Sequence, residues 1–376
     1  MALSGWSTEE GTQRYRQHKT ACHPDHFRRL QDLWSSSIGF GTYLGDPDEA
    51  TDRLYAEALE TALESGCNLI DTAINYRCQR SERVIGHTLE RLIAQGHLQR
   101  DEVTVCTKGG YIPFDGVVPR DPERYLIETF LNPGVFEYDD LVAGCHVLRP
   151  SYLEQQLATS LQNLRLETVD VYYLHNPEQQ LDEILRATFL SRLEGAFALL
   201  EEQVRIGRIQ WYGTATWNGY RANPEAPNYL SLAEVLEVAQ RVGGTSHHFR
   251  IVQLPYNLRM PEAFAFKNQR VDGESLTLLE AAERLGVSVV VSASLLQSQL
   301  AALPDAVQTF IDGLRTDAQR AIQFVRSTPG VTTALVGMKR RAHVQENLEL
   351  ATHPLLPPEP LTRLLTPATR RSRGDR

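Results

Sequence analysis

"CNLIDTAINYRCQRSERVIG", residues 67–86, starts as an apolar run, closes on Asp71, passes Tyr76 five positions later and continues into a helical pattern. A run this short and apolar reads as a strand buried on both faces, the pattern of a parallel sheet. A buried strand has no structural need to end on a carboxylate followed by a phenol. The placement makes sense if the carboxyl end of the strand forms the floor of a pocket.

The same strand-then-helix unit recurs along the chain. Candidate strands are 36–44, 67–73, 103–109, 169–176, 209–216, 249–257, 288–294 and 332–337, with amphipathic stretches between them. Leu54, Ala58, Leu59 and Ala62 recur at helical spacing, as do Val84, Thr88 and Leu92, and again Leu153, Leu157, Leu161 and Leu164. Ser151 with Glu154 reads as a capping box, and Ser81 as a cap. Eight β/α units over roughly three hundred residues match the number and size of a (β/α)8 barrel, an α/β fold, better than an open doubly wound sheet. The expected organisation is an extension over 1–34, one barrel domain over 35–351 and a tail over 352–376. Within the barrel, residues 109–150 form a long insertion after the third strand, expected to be a lid or substrate wall carrying Tyr111, Phe114, Phe130, Phe136 and Tyr138. The tail, rich in proline and then basic, is expected to be extended and partly disordered.

Composition narrows the function. The chain has 376 residues, 42% hydrophobic, and a formal net charge of −9. It lacks the broad positive field that would hold a nucleic-acid backbone or an anionic membrane. No stretch reaches the roughly 18 apolar residues of a membrane span, and the first residues show no apolar signal core. Five scattered cysteines, Cys22, Cys67, Cys78, Cys106 and Cys145, suit a reducing cytoplasm better than a disulfide framework. The expected partner is a small molecule; oligomeric state is left open.

In a barrel the carboxyl ends of the strands carry the chemistry. Asp71 closes the second strand, Tyr76 follows it, Lys108 closes the third and His175 the fourth, so adjacent strands converge on one spot. A phenol titrates near ~10 and alone is a feeble acid. A buried ammonium from Lys108 favours the phenolate, Asp71 keeps that ammonium charged, and His175 holds an oxygen or shares the proton. The set reads as a device that delivers a proton to an oxygen becoming an alkoxide. Taken singly, each residue has a plainer use: a strand-end cap, a solvated lysine, a half-buried tyrosine, a core histidine.

The sequence resembles the aldo-keto reductase family. "NLIDTAINY…SERVIG", "VTVCTK", "VDVYYLHNP", "YGTAT", "QLPYN" and "GMKRRAHVQEN" are similar to its motifs, in order, from about residue 36 to 350. The resemblance implies a barrel that binds NADPH, with NADH as the alternative. It also implies Asp71, Tyr76, Lys108 and His175 as a catalytic tetrad, Tyr76 being the general acid as hydride transfer reduces an aldehyde or ketone. It places the cofactor against Thr216, Gln253, Ser294, Leu296, Gly337, Lys339, Arg340, Arg341, His343, Glu346 and Asn347. The family's serine and asparagine on the fifth strand are here Ala215 and Thr216. Ala293 stands where a stacking tyrosine is common, and His343 where an arginine is frequent.

Three rivals remain at this stage. "GFGTYLG" faintly imitates a dinucleotide fingerprint, but Gly39, Gly41 and Gly45 are spaced too widely and acidic residues follow. "HPDHF", with His23, Asp25 and His26, has metal-ligand residue types, though it precedes the first strand; the expected metal set is none. A cofactor-binding regulatory or sensor subunit with little turnover is the alternative from another class.

Overall fold

A computed structural model describes residues 2–304 and 311–357. Eight parallel strands close into a barrel: Ile38–Gly41, Leu69–Asp71, Thr104–Gly109, Val169–His175, Ile209–Ala215, Phe249–Pro255, Ser288–Ser292 and Val331–Gly337, the last pairing back to the first. All eight expected strands are present; seven are trimmed to the residues that pair, and the last starts one residue earlier, at Val331. Outside them run helices such as Glu49–Glu64, Arg80–Ala94, Pro150–Leu164 and Arg186–Arg205. The expected stripe appears on Glu49–Glu64, where Ala58, Leu59 and Ala62 are buried together with Tyr55. The fold is a (β/α)8 barrel. No described helix is long and apolar enough to cross a membrane.

Two details at helix starts differ from the sequence reading. The helix Pro150–Leu164 begins one residue before Ser151, because the fixed φ of Pro150 suits the first helical position. Ser151 Oγ donates instead to the Val135 carbonyl at 2.7 Å, tying the insertion to this helix. Ser81 lies inside Arg80–Ala94 and donates to the Thr42 carbonyl at 2.9 Å, fastening that helix to the loop after the first strand.

The leader is more ordered than its polarity suggests. A helix, Glu9–His18, precedes an antiparallel hairpin of Phe27–Leu30 and Leu33–Ser36, so part of the stretch assigned to the first strand belongs to the hairpin. Leu30 and Leu33 at the hairpin's tip are buried in one cluster with Leu69, Cys106, Val171, Tyr173, Trp211, Ile251, Val290 and Leu335 from the strands. The hairpin therefore fills the barrel interior from its amino end. Of the residues with metal-ligand types, buried His26 has both ring nitrogens bonded, Nε2 to Gly66 O and Nδ1 to Ser37 Oγ, each at 3.0 Å. Among the described residues no group of three or more metal-ligand side chains converges.

The insertion has a core of its own. It contains Pro122–Leu126 and a π-turn, Ile127–Leu131, and it buries Phe130, Phe136 and Val147 against Tyr152. Phe114 packs edge-on to Tyr125, and Tyr138 is exposed. Of the aromatics expected to wall the substrate, these four anchor the loop or face solvent, and Tyr111 alone reaches the cleft. At the other end, residues 352–357 are pinned: Arg326 Nη2 donates to His353 O, and Leu356 N donates to Ser327 Oγ. The rest of the expected disordered tail lies outside the described residues.

Candidate active site

Parallel pairing sets the register of the site. Asp71 pairs with Cys106, two residues before Lys108, and Lys108 pairs with Tyr173, two before His175. Successive strands are thus staggered so that their last polar residues meet at the barrel's carboxyl mouth. There Asp71 and His175 line a cleft of about 450 Å³ together with Tyr43, Asn75, Tyr76, Tyr111, Trp217 and Gln253, while Lys108 is buried beside Asp71.

The central feature is a buried ion pair. Lys108 Nζ donates to Asp71 Oδ1 at 2.5 Å, to the Thr72 carbonyl at 2.8 Å and to Tyr76 Oη at 3.5 Å. An ammonium has three donors, so all three are committed. The other carboxylate oxygen, Asp71 Oδ2, accepts from Gln253 Nε2 at 2.7 Å. Gln253, expected against the cofactor, therefore spends one of its two amide N–H donors on Asp71 and keeps its Oε1 for a ligand.

Burial and charge act against each other here. Burial alone would lower the Lys108 pKa, but the Asp71 carboxylate and then Tyr76 outweigh it, and the ammonium is held above its ordinary value. For Tyr76 burial raises the pKa and Lys108 pulls it back only in part, so the net direction is upward. The ammonium favours the phenolate as expected, but burial outweighs it, so the phenol keeps its proton in the resting site. His175 is pushed well below its ordinary value by burial, then by Lys108. Among the described residues its Nδ1 is buried without a partner, and its ring lies edge-on to Tyr76 with centroids 5.8 Å apart.

Residues of the insertion complete the surroundings of His175. Tyr111 packs edge-on against it at 4.9 Å, and buried His146 donates Nε2–H to the His175 carbonyl at 2.7 Å. Gln180 Nε2 donates to His146 Nδ1 at 2.9 Å, which fixes the neutral tautomer. Nothing in the sequence pointed to His146, because its partners are distant in the chain.

The expected cofactor residues divide into three groups. Thr216, Gln253, Ser294 and Gly337 line the cleft, and the Ser294 hydroxyl is buried without a partner among the described residues. Lys339 follows Gly337 by two residues; Arg340 caps the helix Arg341–Leu348, and Arg340, Arg341 and His343 are exposed. None of these three cations, Lys339, Arg340 and Arg341, is in an ion pair among the described residues. Glu346 is half-buried and Asn347 buried on the same helix, away from the cleft lining. Leu296 is the exception: it packs with Leu300, Leu303 and Ala321, while its neighbours Leu295 and Gln297 line the cleft.

A closed barrel with a lysine–carboxylate pair beside a phenol and an imidazole at its carboxyl mouth has the architecture of a barrel oxidoreductase. The sequence model described as "Aldo/keto reductase family" matches residues 37–364, and the chain belongs to that family. Among curated relatives it is 26% identical over 191 residues to the NADH-specific methylglyoxal reductase of Escherichia coli (strain K12), covering 49% of each chain. It is likewise 26% identical over 140 residues to prostaglandin F synthase 1 of Bos taurus, 37% of this chain and 31% of that one. The matched stretches thus span half or less of those relatives. Among solved structures, the aldo-keto reductase of Klebsiella pneumoniae in complex with NADP and acetate superposes with a TM-score of 0.61 at 19% identity, over 90% of this chain and 94% of that one. At that identity the likeness speaks to the fold.

Proposed function

We propose that this chain is an NADPH-dependent carbonyl reductase in which Tyr76 delivers the proton. The observation that carries the reading is the hydrogen-bonded line Gln253–Asp71–Lys108–Tyr76 along the cleft. Tyr76 Oη accepts from the ammonium, so its own O–H remains available to donate to an oxygen in the cleft. As that proton leaves, the phenolate forms beside a fixed positive charge, and Asp71 keeps that charge in place without bulk water. Neutral His175 faces the same space and orients the carbonyl oxygen. A bound reduced nicotinamide supplies the hydride that the carbonyl carbon receives.

The residues present fit a dinucleotide. Ser294 offers an orphaned buried hydroxyl, Gln253 a free amide oxygen and Thr216 a hydroxyl at the cleft, while Gly41 and Gly337 keep one wall free of side chains. Lys339, Arg340 and Arg341 at a helix start suit a phosphate, which favours NADPH over NADH. His343, Glu346 and Asn347 complete that end; Leu296 is not part of this proposal.

The test is to follow NADPH and NADH oxidation by the purified chain with a panel of aldehydes and ketones, alongside cofactor binding by fluorescence. Turnover abolished by Tyr76→Phe with binding retained is expected. Binding without turnover of any carbonyl would instead favour the sensor alternative.

A further inference from the structure

Buried polar atoms without a partner are uncommon in folded proteins, and each calls for a reason. Among the residues that carry one here, three line the cleft: Asn75, His175 and Ser294. The proposed chemistry accounts for His175, and the proposed cofactor contacts account for Ser294. Asn75 is used by neither.

Its local setting sharpens the point. Asn75 lies in a tight turn in which the Tyr76 N–H donates to the Ala73 carbonyl at 3.0 Å, so one turn holds both Asn75 and the tyrosine. Asparagine in a turn commonly folds its side-chain oxygen back onto the backbone. Here, among the described residues, Oδ1 accepts nothing and is shut off from solvent. The amide is thus not needed by the turn. A half turn about χ2 exchanges Oδ1 and Nδ2, so the amide can present either an acceptor or a donor to the cleft. A hydroxyl satisfies both orientations.

We infer that Asn75 determines specificity, and that the preferred substrates are carbonyl compounds bearing a hydroxyl close to the carbonyl group. This rests on the carbonyl-reductase reading above and adds the substrate class. Proximity follows from the chain: Asn75 immediately precedes the residue proposed to protonate the carbonyl oxygen. A substrate lacking the hydroxyl offers the cleft-facing end of the amide no partner of its own. Sites built to bind a hydroxyl discriminate strongly against analogues that lack it.

The experiment compares kcat/KM for two matched pairs, glycolaldehyde with acetaldehyde and hydroxyacetone with acetone, in the wild type and in Asn75→Val. The wild type should favour the hydroxylated member of each pair, and the variant should lower that ratio by about tenfold to a hundredfold. Comparing ratios between proteins cancels the intrinsic reactivity of the probes. Asn75 is not among the residues with left-handed backbone, so Asn75→Ala replaces the valine variant if that one melts early. Asn75→Ser, which restores a hydrogen-bonding group, should recover part of the ratio. A ratio unchanged in Asn75→Val and Asn75→Ala overturns the inference while leaving the reductase reading intact. A wild type that binds cofactor yet reduces none of the panel overturns both.

Discussion

Two buried carboxylates at opposite ends of the barrel have almost the same chemistry and very different company. Asp170, second residue of the fourth strand, accepts from Ser7 N and Ser7 Oγ on one oxygen, and from Arg100 Nη2 and Val105 N on the other. Arg100 gives further hydrogen bonds to the Val103 and Thr168 carbonyls. These partners are backbone groups or the leader, so this pair fastens the floor of the barrel. Asp71, last residue of the second strand, also holds one buried cation, but that cation reaches Tyr76 in the cleft. An ion pair becomes chemistry when one donor is left over for a group that a ligand can touch.

The comparison can be broken in several ways. The largest effect is expected from Tyr76→Phe, which should lower carbonyl reduction by about a thousandfold while NADPH titration stays as in the wild type; near-normal turnover would remove the proton donor from the mechanism. Next, Asp170→Ala should cost about 3–5 kcal/mol in urea unfolding, because it leaves Arg100 buried and unpaired. The protein that remains folded should keep its kcat/KM, and a selective loss of turnover would erase the distinction between the two ends.

Acid supplies a smaller effect with a definite sign. Burial lowers the pKa of His26 to about 3 and that of His146 to about 4, from an ordinary 6.5. Both are neutral in the fold, whereas the unfolded chain takes up protons below 6.5. The stability they contribute is complete above 6.5 and is lost as pH falls toward those two values, by about 2 kcal/mol for each at pH 5. Thermal melts across that range, with His26→Gln and His146→Gln flattening the slope, would check it. Smallest is the double change Arg340→Ala with Arg341→Ala, which should raise the KM for NADPH about tenfold, a loss of ~1.4 kcal/mol, and alter that for NADH less; equal effects would count against a phosphate seat.

The sequence shows the eight strands because each is a short apolar run bounded by turn residues, and it shows Asp71, Lys108 and His175 because a polar residue ending such a run is conspicuous. Other features depend on contacts a linear reading cannot follow. The Gln253–Asp71 bond joins residues 182 positions apart. The hairpin was hidden by "FRRLQDLWSS", whose charges mask the two leucines that matter. Ser151 looked like a cap because local pattern cannot weigh a neighbouring proline against a distant carbonyl. Asn75 was silent for the opposite reason: asparagine is so ordinary in turns that only its missing partner in three dimensions makes it noticeable.

The hairpin tip has one more implication. Leu30 and Leu33 meet Val290 and Leu335, which enter the chain more than 250 residues later, so the leader cannot finish docking until the final strands exist. Shortening the chain to the start of the first barrel strand would look harmless on a hydropathy plot. It would instead hollow out the axis of the molecule, and such a truncated protein should be recovered as aggregate unless apolar side chains are supplied to fill the gap.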